Sequence, residues 1–161
     1  MAGGIGSRFW PMSRTQFPKQ FIDILGTGQT LIQQTFDRLE KLVPKENILI
    51  VTNELYKQLV IDQLGVAEDQ VLCEPSRRNT APCIAFANYK IAKQNPNANI
   101  IVAPADHLIL KEQKFVEVME KALSFTAEND ALVTLGISPS RPDTGYGYIQ
   151  FDDSDDADIK K

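Results

Sequence analysis

Residues 47–73, NILIVTNELYKQLVIDQLGVAEDQVLC, decide the fold class. Ile48-Leu49-Ile50-Val51 is a short unbroken apolar run, the pattern of a strand buried on both faces. Leu55, Leu59, Val60 and Leu64 follow at helical spacing, with Asn53 placed to cap the helix and Gly65 to end it. Val71-Leu72-Cys73 is a second buried strand. A strand, a helix and a strand in this order predict a βαβ unit in a mostly parallel sheet.

The pattern extends in both directions. Upstream, Thr30-Leu31-Ile32-Gln33 reads as a capping box. Leu31, Ile32, Phe36, Leu39, Leu42 and Val43 then keep helical spacing up to Pro44. Downstream, a helix is expected from Asn79 or Thr80 through Ile91, and another carrying Phe115, Val116, Met119, Ala122 and Leu123. Strands are expected at Ile100–Ala103, Ala131–Leu135 and Tyr148–Phe151. The fold class is α/β.

Composition narrows the function. The chain has 161 residues, enough for one ordinary domain, and a hydrophobic fraction of 43%. Its net charge is −4, which argues against a dedicated nucleic-acid partner. No apolar run approaches the ~18 residues of a membrane span. Cys73 and Cys83 form neither a CxxC motif nor a zinc ribbon, and His107 is the single histidine. These features predict a reducing, cytoplasmic setting and no partner membrane.

The first 22 residues differ from the rest. MAGGIGSRFWPMSRTQFPKQFI holds Arg8, Arg14 and Lys19 and no acid, while the remaining chain sets 14 bases against 21 acids. Gly3, Gly4 and Gly6 let backbone approach an anion closely. Arg8 offers a fork for two phosphate oxygens, and Lys19 a mobile point charge. A glycine turn with surface cations is the plainer alternative. The dinucleotide fingerprint fails, because GxGxxG would need glycine where Phe9 stands. Walker A fails too, since neither GKS nor GKT occurs.

The string Gly3-Gly4-x-Gly6-x-Arg8-x-Trp10-Pro11-x-Ser13-Arg14, with Pro18-Lys19-Gln20, resembles the signature loop of sugar-phosphate nucleotidyltransferases. Three further strings follow in order: Glu74-Pro75-Ser76-Arg77-Arg78-Asn79-Thr80-Ala81-Pro82, Pro104-Ala105-Asp106-His107, and Arg141-Pro142-x-Thr144-Gly145-Tyr146-Gly147-Tyr148-Ile149. Together they resemble the mannose-1-phosphate guanylyltransferase branch of that family, over essentially the whole chain.

The resemblance implies a Rossmann-like nucleotidyltransferase fold, incomplete at both ends, with residues 1–161 as a partial domain. That part would hold the GTP-binding half and the start of the sugar-binding part. Its partners would be GTP and mannose 1-phosphate, with Mg²⁺ as cofactor, and homo-oligomerisation is left open. Arg8 and Lys19 are the implied catalytic residues. Ala2, Gly3, Gly4, Gly6, Ser7, Arg78, Asn79 and Thr80 would bind the nucleotide, and Gly145 and Tyr146 the sugar. The family's first strand, which precedes Ala2, and its C-terminal sugar and metal residues are expected outside these 161 residues.

The physical chemistry of these residues leaves some readings open. Asp106 falls just after a predicted strand, where α/β sheets place ligands, and a carboxylate there suits Mg²⁺; a turn aspartate is the alternative. Asn79 and Thr80 serve equally well as helix caps or as readers of a purine edge. His107 is read as structural, because a phosphate dianion needs no base in order to attack. The Asp152–Asp158 run is read as a solvated loop. Two rivals stand beside the guanylyl reading: transfer of another nucleotide to a sugar phosphate, and a non-catalytic nucleotide-sensing subunit.

Overall fold

The computed structural model describes residues 1–4, 9–152 and 159–160. Among the described residues four α-helices, α1 (Leu31–Glu40), α2 (Lys57–Leu64), α3 (Thr80–Gln94) and α4 (Glu112–Glu128), accompany two strands, β1 (Ile50–Thr52) and β2 (Val71–Cys73). The strands pair in parallel with Ile50, Val51 and Thr52 opposite Val71, Leu72 and Cys73. All three β1 residues are buried, as a strand covered on both faces requires.

Side-chain alternation divides the interior. One face gathers Ile50, Val71, Phe36, Val60, Tyr56 and Phe21 beneath α1 and α2. The other carries Val51 and Leu72, packed on Cys83 of α3. Gly65 ends α2 in the left-handed region at φ 57°, and its N–H donates to the Ile61 carbonyl. At the start of α1 the Thr30 N–H donates to Gln33 Oε1 at 2.9 Å, in the capping box expected there.

The N-terminal residues enter the sheet. The Ala2 N–H donates to the Val51 carbonyl at 2.7 Å on one side. On the other, the Met1 amine donates to the Ala103 carbonyl at 2.9 Å, and the Ala105 N–H to the Met1 carbonyl at 3.0 Å. The lateral order is therefore β2, β1, Met1–Ala2, then residues 103–105. This short bridge aligns the start of the glycine segment with Asp106.

Several expectations need correction. Asn53 makes no capping bond; a 3₁₀ turn over Glu54–Tyr56 intervenes and α2 begins at Lys57. Residues 100–103, 131–135 and 148–151 form no ladder among the described residues. An apolar run becomes a strand only where a neighbour takes its N–H and C=O groups. Among the described residues the Ala103 carbonyl meets only the Met1 amine, and Leu132 and Ile149 lie exposed. The acidic stretch at 153–158 lies outside the described residues.

Helix α4 is tied to α1 by charge. Lys41 Nζ lies 2.7 Å from Glu112 Oε2, and the buried Arg38 guanidinium reaches Glu112 Oε1 only at 3.5 Å. Arg38 also rests 5.7 Å from the Phe115 ring centroid. The Lys41 hydrogen bond, with Arg38 behind it, holds the Glu112 carboxyl below its ordinary pKa. Glu112→Gln should therefore cost about 1–2 kcal/mol in urea unfolding, less than a fully buried pair because Glu112 is partly in water. A depressed carboxylate stabilises the fold above its unfolded pKa and loses that contribution as pH falls through its folded value. The variant should thus lose less stability than the parent on acidification. Equal acid slopes would show that the Glu112 pair does not hold α4.

Candidate functional site

The site grows from Ala2. Its carbonyl accepts from Gln20 Nε2 at 2.9 Å and from Thr52 Oγ1 at 3.2 Å, and Ala2 is 2% exposed. The same Gln20 nitrogen donates to the Gly4 carbonyl at 2.9 Å. One buried amide therefore fixes two carbonyls of the glycine segment. Because C=O and N–H point oppositely across a trans peptide, this turns the Gly3 N–H away from Gln20.

The glycines leave space around the segment. Among the described residues, a Cβ added at Gly3 would meet Glu74 Oε2 at 3.6 Å, an ordinary contact, and one at Gly4 would meet nothing within 4 Å. Packing against the described residues thus does not demand glycine at either position. An approaching ligand would give a reason for it. Gly6, Ser7 and Arg8 lie outside the described residues.

Lys19 sits in a 3₁₀ turn over Lys19–Phe21 that follows Pro18. Its N–H donates to Ser13 Oγ at 3.0 Å, and Ser13 is buried. The hairpin below is closed by reciprocal backbone bonds between Arg14 and Phe17. The Lys19 ammonium lies 2.6 Å from Asp106 Oδ2, with both side chains 26% exposed, and 5.2 Å from the Phe9 ring centroid. Two residues 87 positions apart, one from the loop motif and one from the Pro-Ala-Asp-His motif, thus meet. Asp106 follows the buried Ala105, whose N–H is held by Met1.

The other predicted residues are more dispersed. Arg78, Asn79 and Thr80 lie exposed at the start of α3. Asn79 adopts φ 67° and ψ −168°, a region nearly restricted to glycine, and its side chain makes no capping bond. The cap alternative is therefore not realised at Asn79. Such backbone costs on the order of 1–3 kcal/mol and is found most often at ligand sites. Gly145 and Tyr146 belong to an exposed turn held by its own residues: the Gly145 N–H donates to Asp143 Oδ1, and the Asp143 N–H to the Tyr148 hydroxyl oxygen. Nothing in these bonds ties the turn to Asp106. His107 is exposed. Cys83 is buried and Cys73 half-buried, and burial pushes both thiols up, away from reactivity.

Among the described residues no three His, Cys, Asp or Glu side chains converge as a metal cage. A lone hard carboxylate still fits Mg²⁺, which is commonly held by one or two carboxylates plus substrate phosphates. Sequence reading gave no role to Gln20, Glu74 or Thr52. Gln20 stood in the Pro-Lys-Gln string, but a neutral amide offers no charge signal; only its burial against two carbonyls reveals the role.

The nucleotidyl transferase family model matches residues 1–161. The chain belongs to that family. A mannose-1-phosphate guanylyltransferase of Escherichia coli is 39% identical over 155 residues, covering 93% of this chain and 33% of the relative. One from Salmonella montevideo is 42% identical over 153 residues, covering 93% of this chain and 31% of the relative. The alginate biosynthesis protein AlgA of Pseudomonas aeruginosa is 40% identical over 153 residues, with 93% and 31% covered. A Thermus thermophilus crystal structure, described as a mannose-1-phosphate geranyltransferase, superposes with TM-score 0.85 at 34% identity, covering 98% of this chain and 45% of that one. The fold is thus the Rossmann-like nucleotidyltransferase fold. The chain spans about a third of the length of the curated relatives it matches.

Gln20 yields a stability prediction. Gln20→Leu keeps the volume but leaves the Gly4 carbonyl without its donor and Ala2 with Thr52 alone. Urea unfolding should show a loss of about 1–3 kcal/mol. An unchanged midpoint would show that the loop carbonyls find other partners.

Proposed function

We propose that the protein carrying this chain transfers a guanylyl group from GTP to mannose 1-phosphate, releasing pyrophosphate. The observation that carries this reading is the junction of Lys19 and Asp106 beside the Gln20-fixed glycine segment. A cation, a metal-suited carboxylate and an open backbone cradle are what displacement at a triphosphate needs. The names borne by relatives at about 40% identity support the choice of base and sugar.

In this reading the phosphate oxygen of mannose 1-phosphate attacks the α-phosphorus and pyrophosphate leaves. The protein forms no bond to either reactant; it positions them and offsets charge. The Gly3–Gly4 backbone and Gly6, Ser7 and Arg8 receive the triphosphate, and Arg8 meets the charge that grows on the departing pyrophosphate. Lys19 offsets charge at the α-phosphate. Asp106 would hold Mg²⁺, which when bound neutralises phosphate oxygens. Ala2 would seat the nucleotide, and Arg78, Asn79 and Thr80 would contact it near the base. Gly145 and Tyr146 would meet the sugar. Glu74, facing Gly3, is an acceptor-only group that complements the N1–H and N2–H₂ donors of guanine.

The retention of Arg8, Lys19 and Asp106 together supports this reading over a sensing subunit, which would have no need of all three. A cytoplasmic setting goes with GTP as substrate, and no described helix is long and apolar enough to cross a membrane. Pyrophosphate release by the intact protein, with each of the common NTPs against mannose 1-phosphate and glucose 1-phosphate, tests the assignment. GTP with mannose 1-phosphate should lead, and Glu74→Gln should reduce the preference for GTP over ATP by about 10-fold or more. Highest turnover with another nucleotide would remove the guanylyl assignment, and no turnover with any pair would leave the sensing role.

A further inference from the structure

The carboxylate that suits a metal is already taken. Lys19 Nζ sits 2.6 Å from Asp106 Oδ2, the distance of a charge-assisted hydrogen bond. A Mg²⁺ ion on that oxygen would stand at 2.0–2.1 Å. A Mg²⁺ ion on that same oxygen would stand only about 4 Å from the ammonium, and one on the other oxygen only a few ångströms away, so the two like charges repel and each weakens the other's hold on the carboxylate. We propose that Lys19 is the resident counter-ion of Asp106, so that a divalent cation and Lys19 compete for it. The metal gains full access only when a nucleotide phosphate draws the ammonium away. The proposal rests on the reading of Asp106 as the metal-holding carboxylate and adds to it a coupling between metal and nucleotide.

The surroundings of Lys19 suit such an exchange. Its backbone is fixed: the N–H is held by the buried Ser13 hydroxyl, and the carbonyl accepts from the Ile22 N–H at 3.1 Å. Its four-carbon stem is free to carry the charge several ångströms from a fixed root. The ammonium is partly in water and lies by the Phe9 ring. Leaving Asp106 therefore does not strand a buried cation. The neighbouring Gln20 simultaneously fixes the glycine segment, so the charge has a phosphate position within reach of the same turn. Without nucleotide, Lys19 keeps Asp106 neutralised and its metal affinity low. With nucleotide, Asp106 passes to the metal and Lys19 to the phosphate, and each new partner favours the other.

The test is a Mn²⁺ titration of the intact, nucleotide-free protein, with free Mn²⁺ read by electron paramagnetic resonance and folding checked by circular dichroism. Lys19→Gln should bind Mn²⁺ about three- to tenfold more tightly than the unsubstituted protein. Asp106→Asn should abolish that site. Lys19→Arg keeps the charge and should bind as weakly as the parent. Unchanged or weaker binding by Lys19→Gln, with Asp106→Asn still abolishing the site, would overturn the counter-ion while leaving Asp106 as a metal ligand. Tightening by Lys19→Gln and Lys19→Arg alike would also overturn it, because charge would not then be what excludes the metal. Binding that survives Asp106→Asn would remove the metal reading itself, and the counter-ion with it.

Discussion

Everything in the site hangs from the backbone of Ala2. Its N–H is spent on Val51 of the sheet, and its carbonyl is held by Gln20 and Thr52. The adjoining Met1 binds Ala103 and Ala105 on the far side. A buried backbone group without a partner is costly, so these bonds hold the segment in its place. The glycine loop leaves the sheet from that position, and Asp106 follows the partner segment one residue after Ala105. Glycine segment and carboxylate are thereby aligned by two residues.

The Pro-Lys-Gln turn closes the arrangement. Pro18 and the Ser13 hydroxyl fix its entry, and its successive residues then face different tasks. Lys19 reaches Asp106, Gln20 takes the loop carbonyls, and Phe21 is buried against Tyr56, with ring centroids 5.7 Å apart. The Tyr56 hydroxyl in turn donates to the Thr15 carbonyl. A charge in the site is thus anchored by an aromatic core contact two residues on. This economy explains why a short 3₁₀ turn, rather than a helix, stands here: three consecutive side chains are sent in three directions.

The sequence was legible wherever a local rule decided the outcome. The helices α1, α3 and α4 and the strands β1 and β2 follow apolar spacing and stop signals, and Gly65 ends α2 as its left-handed backbone demands. Lys19 and Asp106 were visible as charges within motifs, although only the fold shows their contact. The failures have a common cause. Runs such as Ile100–Ala103 and Ala131–Leu135 carry strand composition, but a strand also needs neighbours, which composition does not report. Asn53 and Asn79 looked like caps, yet neither makes the bond, and the positive φ of Asn79 has no sequence signature at all. Gln20 was hidden because a neutral side chain that binds backbone leaves no trace in charge or periodicity.

In the proposed reaction the glycine loop and Asp106 together serve displacement at the α-phosphorus. Following phosphorus in the intact protein tests it most directly, with mannose 1-phosphate and GTP labelled at either the α- or the γ-position. The α-label should enter the nucleotide sugar, and the γ-label should leave entirely as pyrophosphate. Gamma-label on the sugar, or released as orthophosphate, would contradict it.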